Sequence, residues 1–220
     1  MRSFSPAAIL GIASLFAMVL CESAAAQVRP PAELLAAYVR ERQTPNAPSS
    51  ASRDLIHMLS NHGDYPAAHI ESLLDGLEQI ALSGTPPRLR AEAAFELSIP
   101  GSNNAVHSIR GTFTRLERVY RRSSDPLVRS VLVGAMGDLT DRREAAGFLE
   151  RVATQEPSDF AEAPRRAVES LMRMGDLGTA VLKRLHETGA VHDQETKRTL
   201  AHLAKNRFRR PSQSSDTSRP

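Results

Sequence analysis

The chain has 220 residues, 28 basic against 25 acidic side chains, one cysteine and no tryptophan. A formal charge of +3 is too small to argue for nucleic acid as a partner, and 25 of the 28 basic residues are arginine, a bias that genome composition produces as readily as chemistry. Beyond the N-terminal stretch, no segment is long and apolar enough to cross a bilayer, which takes about 20 residues.

Arg2 precedes an uncharged run over 3–21, mostly apolar from Ala7 onward, and then Glu22-Ser23-Ala24-Ala25-Ala26. A short basic start, roughly 15 apolar residues and a small-residue site describe a secretory leader. Cleavage after Ala26 leaves Gln27 as the mature start, so residues 1–26 are the leader. Two other readings compete: an uncleaved anchor, for which the run is short, and a lipid-modified Cys21, which wants a small residue where Leu20 stands. Loss of the leader removes the one cysteine. The exported chain is then held by packing alone, with neither disulfide nor thiol nucleophile.

Pro30 and Pro31 open a short helix to about residue 42, with Glu33 placed to suit its dipole. Residues 43–52, "QTPNAPSSAS", read as a linker. A second short helix spans 53–60 and stops at Asn61-His62-Gly63. These helices make an N-terminal region, 27–64. Ile70, Leu73, Leu74, Leu77, Ile80 and Ala81 then follow the helical period. "SGTPP" ends that helix and starts the next, 88–99, which "PGSNN" ends in turn. Val106, Ile109, Phe113, Leu116 and Tyr120 predict a longer helix with one apolar face. Asp125 and Pro126 are a good N-cap and first position for the next.

Residues 128–141, "VRSVLVGAMGDLTD", are apolar around most of a helix and end on a glycine beside an aspartate. Val128, Val131, Leu132, Ala135, Met136 and Leu139 form a wide stripe. Asp141 heads a further helix with Ala145, Phe148, Leu149 and Val152 on its face. "QEPSD" ends it. The pattern returns over 160–174, breaks at Gly175-Asp176 and resumes with Leu177, Ala180, Val181 and Leu185. A last helix carries Leu200, Leu203, Ala204 and Phe208. The tail, 209–220, has no large apolar side chain and predicts disorder. No segment alternates β-branched residues with period two, so the expected class is all-α.

The helices come in pairs, and the pairs superimpose. Leu89-Arg90, Val128-Arg129 and Ala163-Pro164 begin equivalent helices at offsets of 39 and 35 residues, and Leu97, Met136 and Leu171 fall at one later position. The tetrapeptide Met-Gly-Asp-Leu occurs at 136–139 and again at 174–177. Such a period marks stacked helical units. "DPLVRSVLVGAMGDLTD" resembles the first helix of a HEAT-type repeat, and "PRRAVESLMRMGD" resembles it less closely. The resemblance covers about 65–207. It implies a right-handed α-solenoid of about three to four helical hairpins over 65–208. Each first helix would pack between its partner and its neighbours, with Gly134 and Ala135 allowing close approach, so Gly134→Leu should introduce strain. A ladder of arginines and aspartates would join the units. Arg90, Arg129 and Asp141 match its places; Pro164 does not.

Catalytic and metal signals are thin. His57 and His62 are five apart and His186 and His192 six apart, wrong spacings for one helix face, and no His-Glu-x-x-His is present. There is no glycine-rich phosphate loop and no Gly-x-Ser-x-Gly. Glu92 and Glu96, one turn apart, read as a solvated pair. HEAT-like units also occur in bilin lyases, but nothing beyond the repeat itself points to lyase chemistry. No enzyme activity, metal or other cofactor is expected.

The arginines are more informative. Arg115, Arg118 and Arg122 share one side of their helix, off its apolar stripe, with Arg143 and Lys183 at corresponding places in later units. An earlier helix carries Glu71, Asp75 and Glu78 instead. The plain reading is a solvated face; the sharper one is a basic patch for an acidic protein or peptide. In HEAT-like arrays the second helices line the concave side, which is where the resemblance puts these residues. The expectation is an exported, periplasmic or secreted scaffold that binds a protein or peptide there. It would bind no nucleic acid and would not stay in the membrane after leader cleavage. An accessory or adaptor subunit of an envelope enzyme or transporter complex is the alternative.

Overall fold

A computed structural model describes residues 29–44, 48–102, 105, 109, 111–155 and 162–207. The leader at 1–26, positions 156–159 of the "QEPSD" break, Val106, Phe160, Phe208 and the tail lie outside them. Among the described residues ten α-helices follow one another: α1 Pro31–Gln43, α2 Ser50–Ser60, α3 Ala67–Ser83, α4 Pro87–Glu96, α5 Thr112–Arg122, α6 Pro126–Met136, α7 Arg142–Gln155, α8 Glu162–Arg173, α9 Gly175–Thr188 and α10 Gln194–Arg207. Among the described residues the class is all-α. The nearest thing to a sheet is a single bridge between Ser102 and Leu139.

Local chemistry sets the boundaries. Asp125 caps α6 as its sequence predicts, its carboxylate accepting from the Leu127 N–H at 2.9 Å, with Pro126 in the first position. Helix α2 begins three residues before the predicted start because Glu41 of α1 reaches across the linker. Its carboxylate accepts from the backbone N–H groups of Ala51 at 2.7 Å and Ser52 at 3.1 Å, and from both serine hydroxyls, Ser50 and Ser52. Burial works against that charge, but these donors outweigh it and hold the Glu41 carboxyl below its ordinary range. Helix α5 starts at Thr112, later than the apolar spacing suggests. Ile109 instead donates its N–H to the Pro100 carbonyl at 3.0 Å, and Gly111 takes the left-handed conformation, φ 87°, just ahead of the helix.

Helices alternate between two rows. In the first, α4 packs on α6, α6 on α8 and α8 on α10; in the second, α3 packs on α5 and α7 on α9. Phe148 of α7 links the remaining pair, meeting Phe113 and Tyr120 of α5 edge-on at ring distances of 6.0 and 5.0 Å. Cross-row contacts join α3 to α4, α5 to α6, α7 to α8 and α9 to α10. Helix α6 therefore has neighbours on most sides, which is why its sequence is apolar most of the way round: Val128, Leu132, Val133 and Met136 are all buried. One apolar cluster runs from Leu34 of α1 to Leu203 of α10, and Leu55 and Leu59 of α2 belong to it. No helix among the described residues is long and apolar enough to cross a membrane.

The close approaches are not where the resemblance put them. A Cβ on Gly134 would meet nothing within 4 Å, so this position is not crowded. On Gly178 of α9 it would fall on the Leu171 carbonyl of α8, and on Gly137 it would come 2.9 Å from the Cβ and carbonyl oxygen of Ser170. Gly178→Ala should therefore destabilise by a few kcal/mol, on the order of 1–3, because backbone must move. Gly134→Ala should stabilise by about 0.5–1 kcal/mol through helix propensity. Thermal melts of the two variants should move in opposite directions from the parent.

Candidate functional site

Helix α3 presents Glu71, Asp75 and Glu78 along one side, and α5 presents Arg115, Arg118 and Arg122 along the side that packs against it. The structure brings these six residues together across one seam. Arg115 donates to Asp75 at 2.6 Å and Glu71 at 2.8 Å and lies 3.3 Å from Glu78. Glu78 also holds Arg118 at 3.2 Å and Arg122 at 3.5 Å. The change of sign that the sequence spreads along the array is in fact an acid face meeting a basic face.

This revises the placement of Arg115. Its side chain is only 15% exposed and Glu78 only 6%, so they are structural partners rather than outward groups. Arg118 and Arg122 remain half exposed, at 52% and 56%. Arg143, on α7, is exposed and its side chain has no hydrogen bond or ion pair among the described residues. Lys183, on α9, lies 3.8 Å from Glu187, one turn along the same helix. The five candidate residues thus divide into a paired group of three and two separate cations.

The same device recurs along the second row. Arg151 of α7 lies 3.6 Å from Glu117 of α5, and Arg184 of α9 grips Glu150 of α7 at 2.8 and 2.6 Å. In the first row Arg90 donates twice to Asp125, at 2.9 and 2.5 Å, and once to the Gly84 carbonyl. Burial disfavours the Asp125 charge, but Arg90 and the capped N–H groups hold its carboxyl below the usual range. The arginine rung expected from the resemblance lands on this cap. Arg129, expected in the next rung, donates to the Ser123 carbonyl at 2.8 Å and lies over the Tyr120 ring at 4.9 Å. Asp141 accepts from the Ala145 N–H through its backbone carbonyl at the start of α7.

A second feature lies on the first-row side and was not foreseen. Arg42, Arg88, Ala91, Glu92, Phe95, Glu96 and Val131 line a cleft of about 420 Å³. Phe95 is 54% exposed, and Leu127, one turn before Val131 on α6, is 46% exposed. Glu96, read from sequence as half of a solvated pair, is buried beneath α1. Burial pushes its carboxyl up to about 7, Arg42 pulling down and Glu92 pushing further up. Tyr38 of α1 is fully buried, and burial, followed by the charge of Glu96, raises its phenol above the ordinary value. The signal for Glu96 was available: Leu89, Ala93 and Glu96 stand at i, i+4 and i+7, so the acid occupies the buried stripe of α4.

No group of three or more potential metal ligands occurs among the described residues. Comparison of the chain with family models, curated proteins and solved structures gave no match.

Proposed function

We propose that the chain is an exported, non-catalytic α-solenoid of HEAT type that scaffolds another protein. Three things support the solenoid reading: the sequence-equivalent helices α4, α6 and α8 share one row, α5, α7 and α9 follow them in the other, and each row contact joins helices two apart in the chain. Export rests on the leader-like residues 1–26.

The observation that carries the binding role is the pair of large apolar side chains, Phe95 and Leu127, left in solvent on neighbouring helices of one row. A large aromatic left exposed beside a cleft, with an exposed aliphatic on the neighbouring helix, is the kind of group that anchors a protein contact. The arginine face is the weaker candidate, because its three facing carboxylates already answer Arg115, Arg118 and Arg122. Arg143 and Lys183 would add charge only at the edge of a contact, where it acts chiefly on association rate.

The test is site-specific photo-crosslinking in the cell that makes the protein. A photoreactive residue at Phe95 should yield one discrete adduct, identified by mass spectrometry, and the same residue at Arg143 should yield none. Adducts from Arg143 alone would move the contact to the other row. Silence at both positions would sink the scaffold reading. N-terminal sequencing of the recovered chain should begin at Gln27; recovery of intact Met1 in a membrane pellet would refute leader cleavage.

A further inference from the structure

The Phe95 cleft contains something that a purely apolar contact would not need. Glu92 and Glu96 lie one helical turn apart on α4, and their circumstances differ. Glu92 is well supplied with cations: Arg88 donates to it at 2.8 Å, and the Arg42 Nε stands 3.2 Å away, though off the hydrogen-bonding direction. Glu96 has only Arg42 Nη2 at 3.8 Å, beyond hydrogen-bond reach, and its Oε2 is buried with no partner. The charged and titratable groups around it are Tyr38 and Arg42 from α1 and Glu92 and Arg88 from α4, while α6 contributes apolar Val131 to the cleft.

Three kinds of occupant can be compared. The cleft holds two carboxylates, Glu92 and Glu96, and two guanidinium groups, Arg42 and Arg88, so net charge does not choose the occupant; an acidic segment would add a third carboxylate and no donor for Glu96. An apolar segment would cover Phe95 and Leu127 but would seal Glu96 further from water without giving it a donor, which is costly for a buried acceptor. A basic side chain does both jobs. Its methylene stem can lie along Phe95 and Val131, and its head brings the hydrogen-bond donors that Glu96 lacks. A cation near the face of an exposed phenylalanine is also favourable in itself.

Resting on the reading of the chain as a protein-binding scaffold, we propose that this cleft receives a lysine or arginine side chain from the partner, flanked by an apolar residue. Phe95 and Val131 hold the stem, Glu96 accepts the head, and Leu127 takes the apolar neighbour.

Fluorescence anisotropy of three dansyl peptides with the full chain tests this: Leu-Lys-Leu-amide, its norleucine analogue and its glutamate analogue. The lysine peptide should bind about tenfold more tightly than the norleucine peptide, the worth of one charge-assisted hydrogen bond, and the glutamate peptide more weakly than either. Glu96→Gln should erase the preference for lysine while circular dichroism shows the helices intact. Phe95→Ala should weaken the lysine and norleucine peptides alike. Equal binding of lysine and norleucine peptides, or a preference that survives Glu96→Gln, overturns the proposal. In that event a loss of both peptides in Phe95→Ala would still support the apolar contact. Absence of binding by all three peptides also overturns it, and crosslinking at Phe95 then judges the scaffold reading separately.

Discussion

Glu96→Gln should melt several degrees above the parent at pH 8, and the gap should narrow to a few tenths of a kcal/mol as the pH is lowered toward 4.5. Glu96 carries a raised carboxyl in the folded chain, about 7 against an ordinary 4.5. The folded state therefore binds this proton more tightly than the unfolded state. Its contribution is fully present below about pH 4.5 and is lost as the pH rises through 7. A rise of that size corresponds to roughly 3 kcal/mol, and an amide, which cannot ionise, escapes most of it. The lowered carboxyls of Glu41, Asp125 and Asp193 act in the opposite sense: their stabilisation is present above the ordinary carboxyl range and is lost as the pH falls. The parent should therefore be most stable at mildly acidic pH, and the variant's optimum should broaden upward. Paired melts across the pH range test this, and a gap that does not change with pH would refute the account of Glu96.

Loss of Glu78 should cost more than loss of any arginine that contacts it. Glu78→Ala removes a buried carboxylate shared by three guanidinium groups, of which Arg115 is itself largely covered. Arg115 keeps Asp75 at 2.6 Å and Glu71 at 2.8 Å, so no guanidinium is stranded and the loss should be about 1–2 kcal/mol, whereas Arg122→Ala or Arg118→Ala, at half-exposed positions, should each cost under about 1 kcal/mol. Arg115→Ser should fall between these limits, since Glu71 and Asp75 keep access to water. Urea titrations at low and high salt provide the measurement. A Glu78→Ala variant no weaker than Arg122→Ala would mean that the seam is solvated and structurally idle.

The helices were legible because their apolar residues recur with a strong period and because breaks such as "SGTPP" and "SSDP" carry proline beside a cap. The Asp125 cap was readable for the same reason. What the sequence concealed was pairing between elements. Glu71, Asp75 and Glu78 looked like one end of a charge gradient because nothing local says that α5 lies against α3. Nothing local singles out Glu41, although it caps a helix beyond the linker. Glu96 was readable in principle, being in register with Leu89 and Ala93, but the i, i+4 spacing from Glu92 suggested a solvated pair and obscured the buried stripe. Gly134 misled in the opposite direction. A glycine in an apolar helix suggests close approach, yet Gly134 has open space, while Gly178 and Gly137 are among the glycines that do meet neighbouring atoms closely.

The alternating rows also order events in time. Because most contacts join helices at most two places apart, the core can form progressively as the chain emerges, without waiting for distant segments. Helix α1 is one exception, since it also meets α4, three helices further on. Its Arg42 pairs with Glu92 and Glu96 of α4, so these ion pairs wait until that helix has been made and has folded back. A chain emerging N-terminus first would therefore begin with its least finished helices and close them only after α4 arrives. During that interval, α1 and α2 are the segments most open to a chaperone or to a protease.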